Sequence, residues 1–154
     1  MESLLDRFMK KVTPDPGAGC WVWSAGKSAA GYGIFHINRK CFYAHRISFE
    51  LHAGTIPEGM QVDHVCGNRA CVNPAHLRLC TNAENGRNRG RHSDNRSGFK
   101  GVTWNKKGNR WQAVIAVDGR SSFLGYFETP QLAHEAYCQA ASRLHGEFAN
   151  TGAF

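Results

Sequence analysis

The stretch from His64 to Asn85 constrains this chain more than any other. It reads His64-Val65-Cys66, then Cys71, then Asn73-Pro74-Ala75-His76, with Asn85 beyond. Two thiols and an imidazole at four-residue gaps let the chain loop around one metal ion, and Pro74 stiffens the second gap. Zinc takes a fourth soft or borderline ligand, and two cysteines compete for the place. Cys80 is near in sequence. Cys20 is distant, but it lies in Gly19-Cys20-Trp21-Val22-Trp23, just before a hairpin pattern. With 154 residues the chain makes one ordinary domain or two small ones. Neither half could bury much alone, so a metal staple makes physical sense.

No apolar run approaches the roughly 18 residues that span a bilayer. The start, Met1 to Lys11, lacks the apolar core of a signal peptide. The expectation is an intracellular protein without a membrane partner, whose six cysteines include metal ligands rather than forming a disulfide framework. The net charge of +7 is concentrated. Between Gly86 and Trp111 stand Arg87, Arg89, Arg91, Arg96, Lys100, Lys106, Lys107 and Arg110, against Asp94 alone. A concentrated basic segment is the footprint of a polyanion binder.

Met1 to Met9 has weak helical spacing, and Pro14 to Gly19 reads as a loop. Gly31 to Ile37 and Cys41 to Ala44 read as paired strands around a turn at 38–40, followed by a short helix from Ile47 to His52 closed by Gly54. Gln61 to Arg78 reads as loop and short strand. Thr81-x-x-Glu84 is a capping box that opens a helix carrying Asn85. A polar stretch then leads to three strands at 99–104, 110–117 and 122–127, with turns at Lys107-Gly108-Asn109 and Asp118-Gly119. Thr129 caps a last helix with Pro130 at its first position. Its expected apolar face is Leu132, Ala133, Ala136, Tyr137, Ala140, Ala141 and Leu144.

Phosphodiester hydrolysis needs an activated water and positive charge on the phosphorane. His64 can be the general base. Asp63 and Asn85 offer oxygens suited to Mg²⁺ or Mn²⁺. Arg46 can clamp the phosphate through its planar guanidinium.

Asp63-His64, the Cys-x4-Cys-x4-His spacing and Asn85 resemble the HNH endonuclease family, in the branch sharing a zinc-bound ββα-metal core with the His-Cys box homing endonucleases. Cys20-Trp21-x-Trp23, Gly31-Tyr32-Gly33, Ala44-His45-Arg46 and Asn73-Pro74-x-His76-Leu77 match the same branch, over about residues 18 to 90. The resemblance implies that His64 is the base, that Arg46 supports the phosphate and that Asp63 and Asn85 bind the catalytic cation. It also implies one structural zinc on Cys20, Cys66, Cys71 and His76, because a second downstream ligand cluster is missing. Cys41, Cys80 and Cys138 are then expected to be packing residues.

Ser97-Gly98-Phe99-Lys100-Gly101-Val102-Thr103-Trp104, Arg110-Trp111-Gln112-Ala113, Leu124-Gly125-Tyr126-Phe127 and Ala133-x-x-Ala136-Tyr137 resemble the APETALA/ethylene-response-factor DNA-binding domain, from about 97 to 150. That family lays its sheet in the major groove and packs its helix behind. The resemblance places Lys100, Trp104, Arg110, Trp111 and Arg120 among candidate DNA contacts. Lys106 and Lys107 are expected on phosphates, and the linker Arg87 to Arg96 along the phosphate backbone. Phe99, Phe123, Leu124 and Phe127 are expected in the core, and Trp111 fits either role.

The expected fold is α+β: a ββα-metal (HNH) nuclease module at 1–90, a basic linker at 91–97, and at 98–154 a three-stranded antiparallel sheet packed on one C-terminal helix. The expected function is site-specific hydrolysis of double-stranded DNA by a homing or phage-encoded enzyme in the cytoplasm of a bacterial or phage-infected host cell. One active site per chain favours nicking by a monomer, and a dimer could cut both strands. The alternatives are a non-catalytic DNA-binding transcription regulator with a decayed nuclease module and, more weakly, a nuclease for structured RNA.

Overall fold

The computed structural model describes residues 2–152. Met1, where the first helix was expected to begin, and residues 153 and 154 lie outside them. The chain divides into two compact units, Met1–Thr81 and Asn82–Phe154. The helix at Asn82–Arg87 and the stretch expected as linker therefore group with the second unit.

In the first unit, α1 (Leu4–Met9) opens on a capping box in which Ser3 Oγ accepts from Asp6 N at 3.1 Å and Asp6 Oδ2 accepts from Ser3 N at 3.3 Å. β1 (Val12–Pro14) pairs antiparallel with β2 (Trp21–Trp23). Strands of three residues carry too little alternation to be read in advance, and this pair was not expected. β3 (Ile34–Ile37) and β4 (Lys40–Tyr43) form the expected hairpin. Its turn holds Asn38 and Arg39 at positive φ, the geometry that matches strand twist in a two-residue loop. α2 (Ala44–Ala53) starts three residues before the expected Ile47, directly off the hairpin, and ends at Gly54 as expected. β5 (Gln61–His64) pairs antiparallel with β6 (Leu77–Cys80), so the segment expected as loop and short strand is a second hairpin with the thiol loop at its tip.

Phe8, Trp23 and Phe35 make the core of this unit, with ring centroids 5.0–5.7 Å apart in tilted and edge-on arrangements. Val72 and Ile47 close it. A smaller cluster of Phe49, Val62 and Leu77 underlies the β5–β6 hairpin.

The second unit begins with α3 (Asn82–Arg87). β7 (Val102–Asn105), β8 (Arg110–Val117) and β9 (Arg120–Phe127) form one antiparallel sheet in sequence order. α4 (Pro130–His145) packs on one face of it, capped by Thr129 Oγ1, which accepts from Leu132 N at 3.3 Å. Ile115, Tyr137, Ala140 and Ala141 form one part of the core, and Val102, Ala113 and Ala133 the other. The expected α4 face needs correction at its flanks. Leu132 and Leu144 are exposed, and His145 is buried with Nε2 donating to Ala116 O at 3.0 Å. Phe123 is also not core: it is 55% exposed, beside Tyr126 at 4.9 Å. A register shift at Ala113/Val114 lies beside Gly125 in the ladder, so alternation counted from Phe127 fails to predict the side of Phe123.

Gly101 shows why only glycine serves at the start of this sheet. Its φ is +74°, and an added Cβ would lie 2.8 Å from Val114 O and clash with Cδ2 and Cε2 on the edge of the Tyr137 ring. Gly101→Ala is expected to destabilise the second unit by about 2–4 kcal/mol, from overpacking and a left-handed non-glycine residue together. Chemical denaturation of the full chain checks this. An unchanged midpoint would refute the tight packing of Gly101 on Tyr137.

Candidate metal centre and catalytic site

The Cys20 loop is brought to the Cys66–His76 loop by backbone pairing. Val72 N donates to Trp21 O at 2.7 Å and Trp23 N to Ala70 O at 2.8 Å, so β2 runs against the segment around Cys71. Asn73 ties both loops: Nδ2 donates to Gly19 O at 2.7 Å, and Oδ1 accepts from Ala75 N at 3.0 Å. The side chains of Cys20, Cys66, Cys71 and His76 converge, each offering a ligand atom, all within 4.8 Å of one another. His76 Nδ1 lies 3.6 Å from both Cys20 Sγ and Cys71 Sγ. A tetrahedral zinc with Zn–S of about 2.3 Å and Zn–N of about 2.0–2.1 Å has S···N edges of about 3.6 Å, so the donors fit that ion in type and spacing.

Cys80 stands apart from this group. It is buried, and its Sγ–H donates to Gln61 O at 3.8 Å on the paired strand. The competition for the fourth position thus falls to Cys20. Burial, with Cys71 and Cys20 beside it, pushes the Cys66 thiol up to about 12, and burial raises Cys71 as well. Crowded neutral thiols of this kind become thiolates only when a cation offsets the charge. Cys41 is not a packing residue: it is exposed, with Sγ 3.1 Å from His36 Nε2.

His64 and Asp63 are neighbours on β5, both buried. His64 Nε2–H donates to the carbonyl of Cys71 at 3.0 Å. A carbonyl can only accept, so the neutral ring keeps its lone pair on Nδ1. Burial lowers the His64 pKa, against the opposing pull of the Cys71 carbonyl and the Asp63 carboxylate. His64 is therefore uncharged at neutral pH, the form a general base needs.

Asp63 carries a partner that the sequence reading missed. Arg78, opposite it in the β5–β6 register, donates from Nε and Nη2 to Asp63 Oδ2 at 3.1 and 3.0 Å. No sequence motif signals this pair, because it depends on the register of two strands separated by the thiol loop. His45, the other candidate base, is a neighbour of His64. Its ring lies 4.7 Å from that of His64, and burial, His64 and Arg46 lower its pKa to about 3. Tyr32 and Tyr43 complete this cluster, at 5.4 and 5.6 Å from the His45 ring. Arg46, next along α2, is half-buried and enters no ion pair among the described residues.

Asn85 is half-buried on α3, within the second unit. Of the basic residues expected on DNA, Arg89, Arg96, Lys106, Lys107, Arg110 and Arg120 are exposed and outside any ion pair among the described residues. Arg87 pairs with Asp118 at 2.7 Å, and Arg91 Nη1 donates to Gly98 O at 2.7 Å. Trp104 and Trp111 meet edge to face at 5.0 Å, and with Arg96 and Lys106 they line a cleft of about 500 Å³. Trp111 also packs on the core. No helix among the described residues is long and apolar enough to cross a membrane.

Residues 42–87 match the HNH endonuclease family. Protein 7.7 of Escherichia phage T7 is 38% identical over 66 residues, which cover 43% of this chain and 51% of that protein. Protein 3.8 of the same phage is 30% identical over 101 residues, 66% of this chain and 83% of that protein. An uncharacterized HNH endonuclease of Acanthamoeba polyphaga mimivirus is 30% identical over 130 residues, 84% of this chain and 65% of that protein. The chain thus spans about half the length of protein 7.7 and just under two thirds of the mimivirus protein. No solved structure matches it significantly. By its match to most of protein 3.8 this chain belongs to that family of phage proteins, and its residues 42–87 form an HNH endonuclease domain.

Proposed function

We propose that this chain is a site-specific DNA endonuclease of the homing or phage-encoded type, acting on duplex DNA in the infected host cell. The observation that carries this reading is the placement of His64: buried beside Asp63, with Nε2 on the Cys71 carbonyl, which leaves the lone pair on Nδ1, while burial lowers its pKa. In that state Nδ1 takes a proton from water as the water oxygen attacks phosphorus. The P–O bond to the 3′ oxygen breaks and that oxygen takes a proton from solvent water, leaving a 3′ hydroxyl and a 5′ phosphate. Asp63 and Asn85 are the residues that would hold a Mg²⁺ or Mn²⁺ ion, which supplies positive charge to the phosphorane and the leaving oxygen. Arg46, outside any ion pair among the described residues, orients the phosphate.

Cys20, Cys66, Cys71 and His76 would hold one structural zinc, which sets the loop that presents the Cys71 carbonyl. The three-stranded sheet, read as an APETALA/ethylene-response-factor-like domain at about 98–154, grips the duplex through Arg96, Trp104, Lys106, Lys107, Arg110, Trp111 and Arg120. Arg89 and Arg91 follow the phosphate backbone. A monomer with one such site nicks one strand.

Incubating supercoiled plasmid bearing source-genome DNA with Mg²⁺, Mn²⁺ or chelator tests this. Conversion to the relaxed circle at a mapped position, only with the cation, is the expected result. Duplex binding without conversion in either cation would make the protein a DNA-binding regulator. Cleavage of structured RNA alone would move the substrate class.

A further inference from the structure

α3 has six residues, too short to persist on its own; Glu84 O accepts from Asn88 N at 3.1 Å and Gly86 O from Arg89 N at 3.4 Å, just past its end. Three consecutive carbonyls at and beyond its end are bonded by side chains. Lys100 Nζ donates to Arg87 O at 2.9 Å and also to Arg89 O. Asn150 Nδ2 donates to Asn88 O at 2.8 Å. Asn150 is 3% exposed, and its Oδ1 is held by Gly152 N at 2.6 Å, so it is a fixed donor. Arg87 adds an ion pair to Asp118 in the β8–β9 turn, though Asp118 is exposed and that pair is weakly stabilising.

Lys100 is unlike a lysine kept for phosphate. Such a lysine reaches into solvent with its donors available. Lys100 is half-buried, its ammonium bonded to two backbone carbonyls and 6.0 Å from the centre of the Tyr137 ring. Burial lowers its pKa to about 8. A cation at the negative end of a helix is also where the backbone dipoles favour one.

We propose that Lys100 is a positioning residue and not a DNA contact: with Asn150 it anchors the C-terminal end of the helix that carries Asn85. The functional part of this inference rests on Asn85 being a cation ligand of the proposed nuclease. The sheet unit then has a second task besides holding DNA, since it supports a helix of the HNH segment.

The test uses the full chain with Lys100→Met, Lys100→Arg and Asn150→Ala. Backbone hydrogen exchange over 82–89 is expected to quicken by about tenfold or more in Lys100→Met, the loss of a charge-assisted bond. Asn150→Ala should move the same peptide in the same direction. The half-saturating Mn²⁺ concentration for nicking should rise with it. The salt slope of duplex binding should not change, whereas loss of a phosphate contact lowers it by about 0.9. Lys100→Arg should restore both exchange and the Mn²⁺ response, because a cavity of about 310 Å³ lined by Lys100, Arg87, Tyr137 and His145 has room for the larger head group. Unchanged exchange over 82–89, or a reduced salt slope, would overturn the anchor. Faster exchange with an unchanged Mn²⁺ response would overturn the positioning role. A wild-type chain that never nicks would sink the nuclease reading, while exchange and salt slope would still decide where Lys100 acts.

Discussion

Replacing His64 with alanine is expected to lower the single-turnover cleavage rate by about 10²–10⁴-fold, the usual cost of losing a general base. Duplex affinity and zinc content should stay at wild-type values, because His64 is neither among the converging metal donors nor among the basic residues of the sheet. The rate effect follows from the ring's state. Burial keeps the imidazole neutral, and the Cys71 carbonyl holds the proton on Nε2. His45 is the control. Its ring is 4.7 Å away and its Nδ1 has no hydrogen-bond partner among the described residues, so it is the other nitrogen base beside His64. His45→Ala should cost much less, since its role here is packing against His64, Tyr32 and Tyr43. A His64→Ala enzyme that turns over normally, beside a dead His45→Ala enzyme, would transfer the base to His45.

The second large effect concerns the metal centre. Cys71→Ser is expected to lose the zinc and unfold the first unit. A structural zinc of this kind contributes about 10–16 kcal/mol of binding free energy in small zinc-folded peptides at neutral pH. A whole small domain is stable by only about 5–15 kcal/mol, so the ion and the fold stand or fall together. Chelation of the wild-type protein should have the same outcome. Cys80→Ser should keep the zinc and melt close to wild type, since its Sγ lies outside the converging donors and a hydroxyl can also donate to Gln61 O. Metal analysis with thermal melting of both variants and of Cys20→Ser decides the matter. A Cys71→Ser protein that retains zinc would remove Cys71 from the ligand set, and a Cys80→Ser protein that loses zinc while Cys20→Ser keeps it would put Cys80 in the place of Cys20.

The legible parts of this fold are those encoded within a few residues. The turn at 38–40 and the Asp118-Gly119 turn need residues that tolerate positive φ, and both stand at hairpins. Thr129-Pro130 names the start of α4 because capping and the proline ring act on adjacent positions. The spacing of Cys66, Cys71 and His76 is equally local, and those three side chains do meet. Short β1 and β2 were not legible, since three residues offer no period to recognise. Phe123 and Leu132 were misplaced for a related reason. Periodicity says which residues share a face, but a bulge resets the count along β9, and the width of the covered face on α4 depends on what packs there.

By itself the sequence determined the chemistry on offer: a thiol-rich metal loop, a histidine next to an aspartate, and a basic segment ahead of a sheet. These are properties of residue type and short spacing. Tertiary structure decided which groups meet. It chose Cys20 over Cys80, set Arg78 on Asp63, gave His64 its tautomer through the Cys71 carbonyl, and placed the Lys100 ammonium on backbone carbonyls at the end of α3. Each of those contacts depends on strand register or on loops brought together from distant parts of the chain. No local preference of the residues involved encodes it.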